Sequence, residues 1–192
     1  MLLFGTGRLL TTADAADSSV QTVYGVFDRA SGGTATRANL TQQTIASETA
    51  THRTLSQNNV PSSSAGWFLD LTGTSTTLRE RVTSAVSFLP EASMVAVSTI
   101  RPTTGADPCD SNFTSWVMTL SPFTGKALNV FPTTSTGPLA SGYRMDGVLA
   151  SVTPIRKGNT RLQMTANLGA GGLLQINIAR GWNPRTAWQQ IQ

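Results

Sequence analysis

Short apolar runs separated by turn residues recur along the whole chain, and none of them keeps a helical period. In the run 92–100, alternate residues fall on opposite faces of an extended chain, as they do in a β-strand. Together with the runs 81–88, 115–120 and 128–131, it predicts a four-stranded antiparallel meander. The meander spans ~50 residues, which is within the range of one propeller blade.

The same pattern extends to both ends of the chain. Further short strands are predicted over 2–4, 20–28 and 67–69, and the polar stretches 40–47 and 51–55 are predicted to be either short strands or extended loop. A second four-stranded meander is predicted over 148–155, 161–166, 173–178 and 186–191. The two meanders form a weak internal repeat, and the stretch 11–19 is predicted to be a polar loop. We therefore predict an all-β fold with almost no helix.

Composition agrees with an all-β protein that faces the outside. Hydrophobic residues make up 39% of the 192 positions and charged residues 12%, so the chain can bury the core of one domain and is not disordered. The net charge of +4 arises because the chain has few acidic residues. The arginines are scattered along the sequence and form no basic patch. The charge pattern does not favour nucleic-acid binding.

Cysteine content and the first residues bear on where the protein acts. Cys109 is the only cysteine, which excludes a disulfide within the chain. No apolar stretch is long enough to span a membrane, and the first residues lack the basic segment of a signal peptide. The apolar run 2–4 reads as a strand in the middle of a fold. We therefore interpret Met1 as an internal start or a truncation point, and expect any export signal to be specified upstream.

Two glycine-containing stretches match phosphate-binding motifs only in part. The Gly-Thr-Gly of residues 5–7 lacks the third glycine of the dinucleotide fingerprint, since Leu10 stands there and no helical pattern follows. The Gly-Lys pair at 125–126 is followed by Ala127, where a phosphate loop needs Ser or Thr. Both stretches are predicted to be turns, at which glycine lets two backbones approach closely.

Candidate catalytic and metal-binding residues are few. His52 is the only histidine, and its polar neighbours predict a solvated surface side chain, not the base of a Ser-His-Asp hydrolase. Asp107, Cys109 and Asp110 are close in sequence, but they supply neither a zinc ligand set nor a calcium loop. The residues therefore predict no metal and no cofactor.

The four tryptophans divide into two groups. Trp67, Trp116 and Trp188 lie in or beside predicted strands, which favours packing in the core. Trp182 follows a glycine in a predicted loop, and we keep it as a candidate for contact with a partner.

A series of short motifs runs through most of the chain in a fixed order. They are Leu-Phe-Gly-Thr-Gly-Arg at 3–8, Thr-Val-Tyr-Gly-Val-Phe-Asp at 22–28, Gly-Trp-Phe-Leu-Asp-Leu at 66–71, Glu-Arg-Val-Thr at 80–83, Ser-Thr-Ile-Arg-Pro at 98–102, Asp-Pro-Cys at 107–109, Thr-Ser-Trp-Val-Met-Thr-Leu at 114–120, Thr-Gly at 124–125 and Arg-Thr-Ala-Trp at 185–188. In this order they resemble the C-terminal β-propeller of PilY/PilC-type proteins. Those proteins are type IV pilus biogenesis factors and pilus-tip adhesins.

The resemblance implies a fold and a function. The fold is a single domain over 1–192, a partial β-propeller built as an open arc of four-stranded antiparallel blades, with approximate units 1–75, 76–137 and 138–192. The function is that of a type IV pilus assembly factor or pilus-tip adhesin module, which acts by binding and not by catalysis. The family's calcium-binding loop and the partner cysteine of its Asp-Pro-Cys loop have no match in this chain, so the thiol of Cys109 is either free or paired with a cysteine in a segment that this chain does not include. The Arg-Thr-Ala-Trp motif resembles the end of the family's proteins, which implies that the chain is the C-terminal piece of a longer secreted protein.

The resemblance also implies where the protein acts and what it contacts. The location is the cell surface, on the pilus (fimbrium) or at the outer membrane, and the partners are pilus components such as minor pilins, with host or surface ligands in addition. The longest predicted loops, 101–113 and 132–147, are the expected contact surfaces. The candidate contact residues are Arg101, Asp107, Asp110, Arg144 and Trp182.

Two other classes of function stay open from the residues alone. A secreted propeller enzyme, either a quinone-dependent dehydrogenase or a glycosidase, is disfavoured because the chain has one histidine and no paired-carboxylate cluster. A carbohydrate- or DNA-binding surface module without a pilus role is the third interpretation. A propeller closes with about four or more blades, so an arc of about three is expected to expose strand edges and to associate.

Overall fold

The computed structural model describes residues 1–28, 34–73, 79–89, 93–102, 113–134, 137–157, 161–168 and 173–177. In chain order the strands are β1 (Leu2–Gly5), β2 (Thr22–Val26), β3 (Thr41–Gln43), β4 (Ile45–Glu48), β5 (His52–Leu55), β6 (Gly66–Asp70), β7 (Ser87–Leu89), β8 (Met94–Pro102), β9 (Phe113–Leu120), β10 (Phe131–Pro132), β11 (Leu139–Ala140), β12 (Gly142–Asp146), β13 (Leu149–Lys157), β14 (Arg161–Leu168) and β15 (Leu173–Asn177). Within these ranges the helical segments are a short helix α1 (Thr12–Ala16) and one 3₁₀ turn (Arg37–Asn39). The prediction of an all-β chain with almost no helix is confirmed. No helix in these ranges is long or apolar enough to cross a membrane.

The strands form three main sheets and one two-stranded ribbon. The N-terminal sheet has the order β1-β2-β6-β3, the central sheet β4-β5-β12-β9-β8-β7 and the C-terminal sheet β13-β14-β15, while β10 pairs with β11. The paired strands are antiparallel, except that β3 runs parallel to β6. None of the described sheets is closed. The central sheet has six strands and takes them from all three of the units 1–75, 76–137 and 138–192, so the division into units and into four-stranded blades stays a prediction.

Apolar side chains on both faces place the central sheet in the middle of the molecule. On one face, Val95, Val97 and Met118 pack with Trp67 and Leu69 of the N-terminal sheet, and all are buried. On the other face, Met94, Ala96 and Val117 pack with Phe131, and with Leu149 and Val152 of β13. A strand with apolar residues on both faces lies inside a layered core, which explains why β8 and β9 are the most continuously buried strands described.

A tight turn at residues 121–126 is fixed on the ring of Trp67. The indole Nε1 of Trp67 donates a hydrogen bond to the carbonyl oxygen of Pro122 at 2.8 Å. Gly25 and Gly125 both lie against the ring, since a Cβ added to either would come within 2.4 Å of an indole atom. Gly125 also has a φ of +64°, which favours glycine. The prediction of a turn here, and of a buried Trp67, is confirmed.

The predicted central meander is correct for its middle strands and wrong at both ends. Of the run 81–88, only the last residues join β7, because Arg81 forms an isolated bridge to Ile100 and turns its side chain toward the loop that precedes β2. The run 128–131 was predicted as the fourth strand, but β12 takes the position beside β9. Leu128 makes a single backbone hydrogen bond to Thr119, and β10 begins at Phe131.

Two predicted loops contain regular structure. The segment 132–147 was expected to be a contact loop, but it holds β11 and also β12, which pairs with β9 along its whole length. Gly142, Arg144 and Asp146 of β12 make its sequence similar to that of a loop, while Met145 on the opposite face of the strand is buried. The predicted polar loop 11–19 contains α1, which begins because Thr11 and Asp14 form a reciprocal capping box.

Several predictions lie outside the described residues. These are the interior of the 101–113 loop with Asp107, Cys109 and Asp110, and the last strand at 186–191 with Trp182 and Trp188 near it.

Candidate functional site: an arginine and carboxylate cluster beside Trp116

The strand register brings Arg101 and Arg144 to the same face of the central sheet, on either side of Trp116. Trp116 pairs with Thr99 of β8 on one side and with Arg144 of β12 on the other. Arg101 pairs with Thr114, two residues from Trp116 on the same face of β9. Directly opposed residues have Cβ atoms about 5 Å apart and diagonal ones about 7–8 Å, so both arginines are within reach of the indole.

Beneath this surface, Arg53 of β5 holds two carboxylates together. Its Nη1 and Nη2 donate to the two oxygens of Glu80 at 2.7 Å each, and its Nε donates to Glu48 Oε2 at 2.8 Å. The guanidinium carbon lies 4.0 Å from the centre of the Trp116 ring. The side chain of Arg53 is fully buried, which makes this a desolvated ion pair with a cation–π contact.

Two further residues complete the hydrogen bonding of Glu80. The Oγ1 of Thr99 donates to Glu80 Oε1 at 2.6 Å. Arg101 Nη2 lies 3.1 Å from Glu80 Oε2 and 3.4 Å from Glu48 Oε1. The cluster therefore connects β4, β5, β8 and the segment before β7, at the end of the central sheet from which the 101–113 loop leaves.

The charges of the buried pair are mutually stabilised. Burial alone would raise the pKa of Glu80, but the charges of Arg53 and Arg101 and the donated hydrogen bonds outweigh it, and the pKa lies below its usual value. Burial alone would likewise lower the pKa of Arg53, and the two carboxylates raise it instead. Glu80 is thus an ionised structural acceptor near neutral pH.

The cluster includes a carboxylate pair that the sequence did not reveal. The expectation of no paired carboxylates is wrong, since Glu48 and Glu80 flank one guanidinium. However, a glycosidase needs one carboxyl with a raised pKa to act as an acid, and the pKa of Glu80 is lowered. The observed geometry suits a structural ion pair.

Several buried polar atoms at this end lack a partner. Among the described side chains, Trp116 Nε1, Arg101 Nε, Arg79 Nε and His52 Nε2 are buried and make no hydrogen bond. Buried donors are normally satisfied by protein, water or a ligand, so each such atom needs an explanation. Two of them, on Trp116 and Arg101, belong to the face described above.

The predicted contact residues have different outcomes. Arg101 lies at the root of its loop and is largely buried in the cluster. Arg144 is more exposed, and it donates to the carbonyl oxygen of Ala50 and to Asp146 Oδ1, both at 3.2 Å. Asp107, Asp110 and Trp182 lie outside the described residues, so their role stays a prediction.

His52 was predicted to be solvated, and this is wrong. Its ring is half-buried, packs edge-on against Tyr143 at 5.3 Å between centroids, and has Nδ1 2.8 Å from Thr51 Oγ1. The cause is the pairing of β5 with β12, which places His52 directly opposite Tyr143.

A second buried arginine fixes the loop that carries α1 at the same end of the molecule. Arg81 donates from Nη1 to the carbonyl oxygen of Arg8 at 2.7 Å and also to that of Asp14, and from Nη2 to that of Asp17 at 2.8 Å. Burial lowers the pKa of Arg81, against the opposing effect of Asp17 and Asp14. Backbone carbonyls thus replace a direct carboxylate partner for this guanidinium.

Comparison with known proteins supports the resemblance. No family model matches the chain. The whole chain aligns at 30% identity with the type IV pilus biogenesis factor PilY1 of Pseudomonas aeruginosa, from strains PAO1 and PAK, and 79% of the chain aligns at 30% identity with PilY1 of strain UCBPP-PA14. The chain spans about a fifth of the length of these relatives, 19% for the first two.

A solved structure has a similar fold. The crystal structure of the Pseudomonas aeruginosa PilY1 C-terminal domain matches with a TM-score of 0.68, over 93% of this chain and 41% of that one, at 24% identity. Together, the alignment and the shared fold show that the chain resembles the C-terminal region of PilY1, as the motifs predicted.

Proposed function

Because its whole length resembles the C-terminal region of a type IV pilus biogenesis factor, we propose that the chain is a module of type IV pilus assembly. The observation that carries this proposal is the alignment over 100% of the chain. In the finer form of the proposal, the module belongs to a pilus-tip adhesin that is secreted and acts at the cell surface on the pilus. Its partners are pilus components such as minor pilins, and surface or host ligands.

We propose further that the module acts by binding and not by catalysis. Arg53 and Arg101 hold Glu48 and Glu80, the carboxylate pair of the described residues, in a charge-neutralised cluster, which favours a structural role for that pair. The same cluster makes a rigid base from which the 101–113 loop leaves. Rigid sheets that present loops are a common basis for binding sites. The contacts proposed on these grounds are Arg101, Arg144, Asp107, Asp110 and Trp182.

The proposed architecture is an open arc of β-propeller blades. Its support is that the central sheet packs on the N-terminal sheet through one apolar cluster and on β13 of the C-terminal sheet through another. In this proposal the units 1–75, 76–137 and 138–192 approximate successive blades.

Disruption of the gene tests the pilus role. In the organism that carries it, deletion of the segment encoding this chain should remove surface pili, as counted by electron microscopy, and abolish twitching. Expression of the intact gene in trans should restore both. Normal piliation and twitching in the deletion strain would refute the proposal. Binding of the purified chain to purified minor pilins, measured by surface plasmon resonance, tests the mode of action separately.

A further inference from the structure

The tight turn after β9 is fixed on both sides of Phe123. The carbonyl oxygen of Pro122 accepts a hydrogen bond from Trp67 Nε1 at 2.8 Å. The carbonyl oxygen of Thr124 accepts one from Gln43 Nε2 at 2.9 Å. Both donor side chains are fully buried. The backbone at Phe123 is therefore anchored to the interior of the molecule through its two neighbours.

Phe123 itself projects from this anchored turn into solvent. It is 58% exposed, the largest value among the described aromatic residues, and Phe88 follows at 52%. A single exposed apolar side chain is common on protein surfaces, so exposure alone indicates nothing. What distinguishes Phe123 is that its backbone is already fixed. An aromatic side chain on a fixed backbone loses little conformational entropy when it binds, which makes it an efficient anchor for a partner.

Lys126 brings a positive charge without an acidic partner to the same turn. Its Nζ donates to the neutral Asn59 Oδ1 at 2.5 Å, in a contact that is exposed to solvent. None of the ion pairs among the described residues includes Lys126. The segments that hydrogen-bond to the turn, β3 and residues 56–59, contain no charged residue. A carboxylate that pairs with this lysine would therefore come from another molecule.

From these observations we infer that the 121–126 turn is a protein-binding surface, on which Phe123 enters an apolar pocket of a partner and Lys126 pairs with a carboxylate at the rim of that pocket. An aromatic anchor surrounded by polar contacts is the usual arrangement of an interface hot spot. A membrane is a poorer fit, since one ring and one cation supply little of what lasting attachment to a bilayer needs. The inference rests on the proposal that the module acts by binding, and it adds a surface at the end of β9 opposite to the 101–113 loop.

The test is photo-crosslinking of the intact protein in the organism that carries the gene, with p-benzoylphenylalanine in place of Phe123. We expect irradiation to join position 123 to one partner protein. Mass spectrometry of the joined peptides should place an Asp or Glu of the partner close to the linked residue. The control carries the same photoreactive group in place of Phe88, which is similarly exposed on another surface and should give no such product.

Matched variants then test the chemistry of the contact by surface plasmon resonance between the intact protein and the partner. Phe123→Ala should weaken binding by about thirtyfold or more, as removal of a hot-spot anchor does, while Phe88→Ala should change nothing. Lys126→Glu should weaken it by about tenfold or more, because two like charges then meet. Replacement of the partner's acid by Lys should restore binding to Lys126→Glu. Thermal unfolding should show that these variants keep the stability of the wild type.

Three outcomes would overturn the inference. One is the absence of a protein product at position 123 beyond that of the Phe88 control. A second is a product with lipid or with another copy of this chain only, which would assign the turn to a membrane surface or to self-association. A third is a partner whose charge reversal fails to restore binding to Lys126→Glu. If deletion of the gene removes pili and a gene with Phe123→Ala restores them fully, the proposed pilus role stands and this inference alone is wrong.

Discussion

Arg53 is the arginine that pairs most closely with both carboxylates of the buried cluster. Its fully buried guanidinium contacts Glu48, Glu80 and the ring of Trp116. Sequence alone could not have predicted this cluster, because Arg53 and Glu80 are 27 residues apart and no local motif connects them. The available signal was that Arg53 and Leu55 are two residues apart in a short strand and therefore lie on the same face. Because Leu55 faces the core, this places the charge of Arg53 against the core as well.

Replacement of Arg53 by methionine should destabilise the protein strongly. The substitution keeps much of the apolar contact with Trp116 but leaves the carboxylate of Glu80 buried without its main partner, which costs about 3–5 kcal/mol. Arg8→Met is the matched control, since Arg8 pairs with Asp14 from a side chain that is 72% exposed and should cost about 1 kcal/mol or less. Urea unfolding measures both, and equal losses would show that burial of the pair does not matter.

The lowered pKa of Glu80 predicts a dependence of stability on pH. In the folded protein the pKa lies below its ordinary value of 4.5, so ionised Glu80 contributes stability above that pH. The contribution is lost as the pH falls through the folded pKa, because the folded protein must then take up the proton. We expect the unfolding free energy to decrease from about pH 6 to about pH 3, and to decrease less steeply in Glu80→Gln. Parallel curves for the two proteins would contradict the assignment.

At the scale of elements, the alternating apolar runs were sufficient to predict β8, β9 and the three described strands β13, β14 and β15. They failed for β12, where Gly142, Arg144 and Asp146 occupy the face near the charged cluster and imitate a loop. They also failed for α1. Its capping box is a local sequence signal for the start of a helix, but it is not part of the apolar alternation that identifies strands. What the pattern cannot supply is the pairing order, since β12 inserts between β5 and β9 from a distant part of the chain.

The turn at 121–126 provides a prediction at this scale. Gly125→Ala should destabilise by about 2–4 kcal/mol, because a Cβ would meet Trp67 and the residue has positive φ. Gly147→Ala is the control, since Gly147 also has positive φ, at +93°, but a Cβ there has no neighbour within 4 Å. Thermal unfolding compares them. An equal loss in both variants would mean that strain alone, and not contact with Trp67, determines the effect.

At the scale of the whole molecule, the motifs predicted both the resemblance to the PilY1 C-terminal region and the β-rich fold. The number of blades is a separate question, and the exposed edge strands of the sheets bear on it. β1 is an edge strand of the N-terminal sheet, and its Leu2 and Phe4 are exposed by 61% and 38%. Phe4 continues an aromatic row, since it stacks on Tyr24 at 5.2 Å between centroids. An apolar edge of this kind favours association with another chain.

We therefore expect the isolated chain to form oligomers or aggregates as its concentration rises, measured by light scattering after size exclusion. A Leu2→Lys, Phe4→Lys double variant should shift the population toward monomer, because charged side chains on an edge strand oppose pairing. Phe123→Lys is the control, since Phe123 is 58% exposed but lies in the turn at 121–126 and is not part of an edge strand. A stable monomer with a cooperative melt at all concentrations would show that the sheets are self-sufficient, and the proposed open arc with about three blades would then be wrong.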